Sequence, residues 1–218
     1  MQETAYFLDF KFYTEKSTFF PRPETEILVE KALLSLSKKN GLEHSYSILD
    51  IGTGCGNIAI SLTKYLPSSR IIASDISEKA IWVASKNARE NGVFDRINLI
   101  KSNIFQEFEG GYRAYFDLVI SNPPYISLED IKTLPGEVKN DPYSALYGGK
   151  DGLLFYRHII REAPYFLKEK GLLMMEVGYN QAEDVRKILE DSGFSDIDIY
   201  KDYASIKRIV KAELWKSS

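Results

Sequence analysis

The chain has 218 residues, 44% of them hydrophobic and 27% charged, which is ordinary globular usage and excludes a disordered or collagen-like chain; at roughly 150 residues per domain, one domain with a sizeable core is expected. Twenty-eight Lys and Arg against 31 Asp and Glu give a net charge of −3, so overall charge makes no case for holding a long nucleic acid. One cysteine, Cys55, excludes an internal disulfide and a cysteine-built zinc site, and two isolated histidines, His44 and His158, argue against a histidine metal centre, so no metal is expected.

Residues 6–13 and 18–20 are rich in aromatic residues and Thr, which predicts a small hairpin turning near 14–17. From Glu24 the residues Ile27, Leu28, Ala32 and Leu34 follow the helical period. Pro21 and Pro23 stand just ahead and Gly41 just beyond, which predicts a first helix over about 24–39. An alternation follows: an apolar stretch at 46–50, a glycine loop, a helix over 57–66, a strand at 70–75, a helix over 78–91 and a strand at 97–101. Strands alternating with helices imply right-handed crossovers and a parallel sheet. Residues 116–121 supply a fourth strand, a helix over 152–168 leads to a fifth at 172–177, and a helix over 181–191 precedes strands at 196–200 and 208–213. Residues 202–205 are too few for a crossover, so the last two strands should pair antiparallel. The expected fold class is α/β: a doubly wound, mostly parallel seven-stranded sheet with one antiparallel edge strand, preceded by the small hairpin and helix. The chain ends on a mildly basic tail, with five Lys/Arg against two Asp/Glu over 201–218, which reads as solvated surface. The longest apolar runs, at 58–62 and 172–175, are far short of the ~20 residues that span a bilayer. No signal segment opens the chain, so a cytoplasmic protein without membrane contact is expected.

Between the first strand of the alternation and its helix runs Asp50-Ile51-Gly52-Thr53-Gly54-Cys55-Gly56. Glycine allows a tight turn and a close approach of backbone to ligand, and ligands of open α/β sheets bind at the carboxyl ends of strands. The loop residues Gly52, Thr53, Gly54, Cys55 and Gly56 are therefore candidates for holding a cofactor. Asp75 ends the next strand, 23 residues after Gly52, where a carboxylate can accept both hydroxyls of a ribose. A dinucleotide fingerprint reads G-x-G-x-x-G, whereas this loop reads G-x-G-x-G. That spacing favours a ligand with one nucleoside and an amino-acid tail, such as S-adenosylmethionine, and leaves a dinucleotide open.

Asp117-Leu118-Val119-Ile120-Ser121-Asn122-Pro123-Pro124-Tyr125 ends the fourth strand beside that pocket. Two consecutive prolines lack the N–H a central strand needs, so the backbone leaves the sheet stiffly with its carbonyls free. Methylating a planar nitrogen is chiefly a matter of positioning, because its lone pair is delocalised while a sulfonium methyl is already activated. The Asn122 side-chain oxygen and the Pro123 carbonyl can each accept one N–H of an –NH₂ group and stabilise the positive charge that develops on it. Tyr125, after Pro124, can pack on the flat face of that group. A loop-forming Asn-Pro-Pro with a packed aromatic is the plainer alternative.

These stretches, with Phe20-Pro21-Arg22-Pro23-Glu24-Thr25-Glu26 and Gly148-Gly149-Lys150-Asp151-Gly152-Leu153, make the chain similar to class I S-adenosylmethionine-dependent methyltransferases. Within them it resembles the HemK-type family, which methylates the glutamine of the Gly-Gly-Gln motif in peptide-chain release factors. The resemblance runs over nearly the whole chain from about Tyr6. It implies S-adenosyl-L-methionine as cofactor and a release factor as protein partner, and the charge balance adds the expectation of no stable nucleic-acid binding. The resemblance makes residues 42–218 the methyltransferase domain and residues 1–41 a hairpin and helix packed on it. Asn122, Pro123, Pro124 and Tyr125 are the expected catalytic residues, Asn122 also being expected at the cofactor, and Arg22, Pro23, Glu24 and Thr25 join Asn122 and Tyr125 at the substrate. The prolines and the first-turn acids Glu24 and Glu26 also suit a helix start. Family members usually carry an N-terminal helical domain that helps engage the release factor, and this sequence opens close to the catalytic domain. After the third strand of the alternation, Ser102-Asn103-Ile104-Phe105 offers Asn103 for the adenine edge and Ile104 for its face, in place of the usual acid and large aromatic. Glu176 and Gln181 echo the family and suggest a structural bond or a helix cap. Two other readings stay open: an amino methyltransferase acting on adenine in DNA or RNA, which needs base flipping and a basic groove, and a non-catalytic cofactor-binding paralogue.

Overall fold

The structure is a computed structural model that describes residues 3–15, 18–108, 110–134 and 141–215. The chain opens with a hairpin of β1 (Glu3–Phe7) and β2 (Phe10–Thr14), earlier and tighter than expected. The aromatic run at 6–13 is itself two strands, reversing at Leu8 and Asp9 with Leu8 in the left-handed region at φ 49°. Asp9 is a common turn residue but Leu8 is not, and the Leu8 N–H is held by Glu26 Oε1 at 2.7 Å. Of the turn expected at 14–17, Lys16 and Ser17 lie outside the described residues, Thr14 ends β2, and residues 18–20 form no strand.

Helix α1 (Pro23–Asn40) starts with its proline in the first turn, carries Glu24 and Glu26 there and Lys38 and Lys39 in its last turn, and stops at Gly41. Each of these suits the helix dipole or the chain reversal. The sheet then assembles from β3 (Ser47–Ile51), β4 (Arg70–Asp75), β5 (Ile97–Lys101), β6 (Phe116–Ser121), β7 (Leu167–Glu176), β8 (Phe194–Lys201) and β9 (Lys207–Leu214). Between these strands lie α2 (Asn57–Tyr65), α3 (Glu78–Glu90), the short α4 (Asp130–Thr133) and α5 (Tyr143–Leu146), α6 (Leu154–Phe166) and α7 (Ala182–Asp191). Strand order is β5-β4-β3-β6-β7-β9-β8. The antiparallel edge is present as a pair: β8 is the edge strand, and β9, slotted between β7 and β8, runs against both. Most element ends agree with the sequence pattern to about two residues. The exception is β7, which begins at Leu167 rather than 172, because Leu167 pairs with Phe116 ahead of the polar Lys168–Glu169–Lys170 and Gly171, across a register shift.

Alternate residues of each central strand feed two cores. On one face Ile48, Ile71, Leu118 and Met174 pack with α1, α2 and the hairpin residues Phe7 and Phe12. On the other Leu49, Ile72, Val119 and Leu173 pack with α6 and α7. The hairpin is also tied by Asn87 of α3. Its Oδ1 accepts the Tyr13 N–H at 2.8 Å, and its Nδ2 donates to the carbonyls of Tyr13 at 2.9 Å and Cys55 at 2.8 Å. No helix among the described residues is long and apolar enough to cross a membrane.

Candidate functional site

Register decides where the site forms. Ile51 pairs with Ser74 on one side and Ser121 on the other, so β3, β4 and β6 end level. The glycine loop, Asp75 and Asn122 therefore emerge together, at the point where strand order changes direction. Ser121 Oγ, donating to the Ile51 carbonyl at 2.8 Å, ties two of these ends.

The loop is pinned to β4 through its own backbone. Gly52 and Thr53 donate to the Ser74 carbonyl at 2.8 and 2.9 Å, and Gly54 donates to Asp75 Oδ2 at 3.0 Å. Gly54 makes that bond at φ 56°, a left-handed conformation that side chains disfavour, and a Cβ there would meet nothing within 4 Å, so the space over the loop is open. Asp75 Oδ1 accepts from Ser77 N at 2.9 Å. Each carboxylate oxygen thus holds one N–H and keeps a lone pair for a ligand hydroxyl. Burial raises its pKa, opposed by those backbone donors. Gly56 does not line the cleft; its Cα lies where a Cβ would come within 3.2 Å of Ala84 Cβ, so it serves the packing of α2 on α3. The Cys55 thiol is buried and pushed up to about 12, which leaves it protonated and inert.

Beneath the loop, Asp50 is wholly buried in the central strand. Its Oδ2 accepts the Thr53 hydroxyl at 2.6 Å, while Oδ1 has no hydrogen-bond partner among the described residues. Burial lifts this carboxyl to about 7. The sequence reading gave Asp50 no role, although an acid inside an apolar strand is itself a signal, since carboxylates are rarely buried without a reason.

The Asn122–Tyr125 loop is clamped from both sides. Asn122 Nδ2 donates to Thr25 Oγ1 of α1 at 3.1 Å, and Thr25 Oγ1 donates to the buried Glu176 Oε2 at 2.6 Å. Among the described residues nothing donates to Asn122 Oδ1 or to the Pro123 carbonyl. Gln181 Nε2 donates to the Tyr125 carbonyl at 2.9 Å, and its Oε1 accepts from Gly178 N at 3.1 Å. Gly148 lies so near the loop that a Cβ would sit 2.7 Å from the Pro124 oxygen, and one on Gly152 would overlap the Tyr125 oxygen and Gln181 Nε2. Gly148 and Gly152 are a seat for the loop. Burial and the nearby Glu176 push the Tyr125 hydroxyl well above its ordinary value, so it stays neutral.

These elements enclose a cleft of about 700 Å³. It brings together Arg22, Glu24 and Thr25, the loop residues Gly52 to Cys55, Asp75, Asn103, Ile104, and Asn122 to Tyr125. Pro23 stays outside, at the start of α1. Arg22 is aimed by Asp141 at 2.7 Å and lies 5.4 Å from the Phe19 ring centroid. Asn103 is exposed at the rim and Ile104 holds a left-handed φ of 53°. Sequence reasoning missed Phe19, Tyr143, Phe155 and Arg208, which complete the walls and carry no motif.

The methyltransferase small domain family matches residues 25–135. Among solved structures, the chain is similar to a methyltransferase from Pyrococcus furiosus at 18% identity and a TM-score of 0.69, over 96% of this chain and 91% of that one. The match and the sheet order define the class as methyltransferase. The chain is 43% identical over 196 residues to the release factor glutamine methyltransferase of Agrobacterium fabrum, covering 89% of this chain and 66% of that protein. It is 38% identical over 212 residues to the protein of the same name from Clostridium acetobutylicum, covering 96% and 72%. The chain belongs to this release factor glutamine methyltransferase family, and it spans about two thirds of the length of these relatives. The cofactor of this class is S-adenosylmethionine. The site suits it: open space over Gly54 and Asp75's unspent lone pairs match a chain-like tail and a ribose.

Proposed function

We propose that the protein transfers a methyl group from S-adenosylmethionine to the side-chain amide nitrogen of the glutamine in the Gly-Gly-Gln motif of a release factor. The observation that carries this reading is the pair of unspent acceptors, Asn122 Oδ1 and the Pro123 carbonyl, on a loop held through Asn122 Nδ2 at one end and the Tyr125 carbonyl at the other. Two fixed acceptors suit the two hydrogens of an –NH₂ group.

Gly52, Gly54 and Asp75 hold the donor, with Asn103 and Ile104 at its adenine. When bound, S-adenosylmethionine supplies an activated methyl group. Asn122 and Pro123 orient the substrate nitrogen and stabilise the positive charge that grows as the C–N bond forms and the C–S bond breaks. Tyr125, kept neutral, packs against the amide plane, while Arg22, Glu24 and Thr25 line the substrate side. The nitrogen then loses one proton to water, so no side chain has to act as base.

Residues 42–218 carry the reaction in this reading, with residues 1–41 packed on them and contributing Arg22, Glu24 and Thr25. The charges lining the cleft, Arg22 and Arg208 against Glu24, Asp75 and Glu176, give no cationic surplus for nucleic-acid phosphates. Release factors work at the ribosome, which puts the activity in the cytoplasm. The test is incubation with labelled donor, release factor and nucleic acid. Label on the Gly-Gly-Gln glutamine is expected, and label on nucleic acid alone overturns the proposal.

A further inference from the structure

Glu176, Thr25 and Asn122 come from β7, α1 and the loop after β6, yet they form one hydrogen-bonded chain. A carboxylate can only accept, so while Glu176 is ionised the single Thr25 proton is committed to it. Thr25 Oγ1 is then left as an acceptor, and Asn122 must turn its –NH₂ end toward it. That leaves Oδ1 as the atom Asn122 can offer a ligand. Without the charge on Glu176, the Thr25 hydroxyl is free to donate to Asn122 Oδ1, and the amide can turn over to meet a substrate –NH₂ with its own –NH₂. Two donors face to face do not bind.

The geometry points to Glu176 and Thr25 as positioning residues whose hydrogen-bond chain fixes the Asn122 amide with its oxygen available to the substrate nitrogen. This inference rests on the proposed methyl transfer and explains which face of Asn122 the reaction uses. Glu176 is 2% exposed, and its carboxyl has no role in joining the strands, which pair through backbone. Its surroundings make it responsive near neutrality. Burial and Glu24 of α1 raise its pKa to about 7, opposed by the Thr25 hydroxyl, Arg208 of β9 and the Asn122 amide. Tyr125 and, from α6, Tyr156 also face it; the Tyr156 hydroxyl is spent on the Glu176 backbone carbonyl at 3.0 Å. The transfer rate should therefore rise with pH through about 7, as Glu176 ionises.

The test compares wild type with Thr25→Val, Thr25→Ser and Glu176→Gln. Single-turnover transfer is measured at saturating donor across pH, donor affinity by calorimetry, and the Glu176 carboxyl by carbon-13 NMR titration. Thr25→Val should slow transfer by ~10–100-fold, the scale of a lost fixed polar contact, with donor affinity held. Thr25→Ser should recover most of the rate, and Glu176→Gln should abolish the rise through neutral pH. Thr25→Val should also move the Glu176 midpoint upward, because it removes a donor to the carboxylate. An unchanged rate in Thr25→Val, a serine variant as slow as the valine one, or a persisting rise in Glu176→Gln overturns the inference. A wild type that methylates no release factor overturns the proposed activity alone. The NMR arm still decides the chain in that case: an upward midpoint in Thr25→Val supports it, and an unmoved one overturns it.

Discussion

Gln181 and Tyr125 lie 56 residues apart, and a 2.9 Å bond from Gln181 Nε2 to the Tyr125 carbonyl fastens the start of α7 to the loop carrying the two unspent acceptors. The same amide is held through Oε1 by Gly178, so it cannot swing away. Gln181→Ala leaves the Tyr125 carbonyl without this partner and lets the loop move. A drop of ~10-fold in transfer rate is expected, with donor affinity kept, since small misplacements of positioning groups are costly. Single-turnover kinetics and calorimetry on one preparation check it.

Asn122→Ala removes the side-chain acceptor while leaving the glycine loop intact. Transfer should fall by ~100-fold or more, as when one fixed polar group is taken from an active site. Donor affinity should change little. An unchanged rate would refute the acceptor role.

Asp75→Ala should act the other way, on binding before rate. The carboxylate braces Gly54 and keeps lone pairs for ligand hydroxyls. Losing hydrogen bonds to a charged group is worth ~1.5–3 kcal/mol, so donor affinity should weaken by roughly 10- to 100-fold, read by calorimetry.

Asp50 gives a pH prediction for stability. Its carboxyl ionises near its ordinary value of 3.8 in the unfolded chain and at about 7 in the folded protein. Across that window the folded state binds more protons, so Asp50's contribution to stability is full below the unfolded value and is lost as pH rises toward the folded one. Asp50→Asn keeps an acceptor for Thr53 without the charge. Its stability relative to wild type should rise between pH 5 and 8, by an amount on the order of 2–4 kcal/mol. Urea unfolding at both pH values measures it, and a difference independent of pH would show that the carboxyl ionises normally.

Gly152→Ala should be far worse than an exposed Gly→Ala change. The residue sits at φ 76°, and its new Cβ would overlap the Tyr125 carbonyl oxygen and Gln181 Nε2. A loss of at least ~2 kcal/mol is expected from strain and overpacking together. Thermal unfolding reads the stability, and slower transfer should accompany it as the loop shifts.

Much of the architecture was legible because periodicity survives in a parallel sheet buried on both faces: 70–75, 97–101 and 116–121 were readable to the residue. The glycine loop, Asp75 and Asn122 were legible because each sits where a strand ends, and strand ends are marked by composition. The hairpin turn was not, because Leu8 takes a left-handed conformation that leucine disfavours, and its N–H is held by Glu26, 18 residues away. Nor was the start of β7, hidden behind lysines and a glycine. Thr25, Glu176 and Gln181 stood in recognisable stretches, but their bonds span 151, 97 and 56 residues of separation, and local pattern carries no information about such pairings.

Asn87 bonds both main-chain groups of Tyr13 and the carbonyl of Cys55. One buried amide thereby links the N-terminal hairpin to the glycine loop that follows β3. Trimming the protein back to α1 would strip this amide of two of its three partners. The hairpin is thus a splint for the glycine loop, and shortened versions should exchange amide hydrogens faster at Gly54 and Cys55 long before they lose their secondary structure.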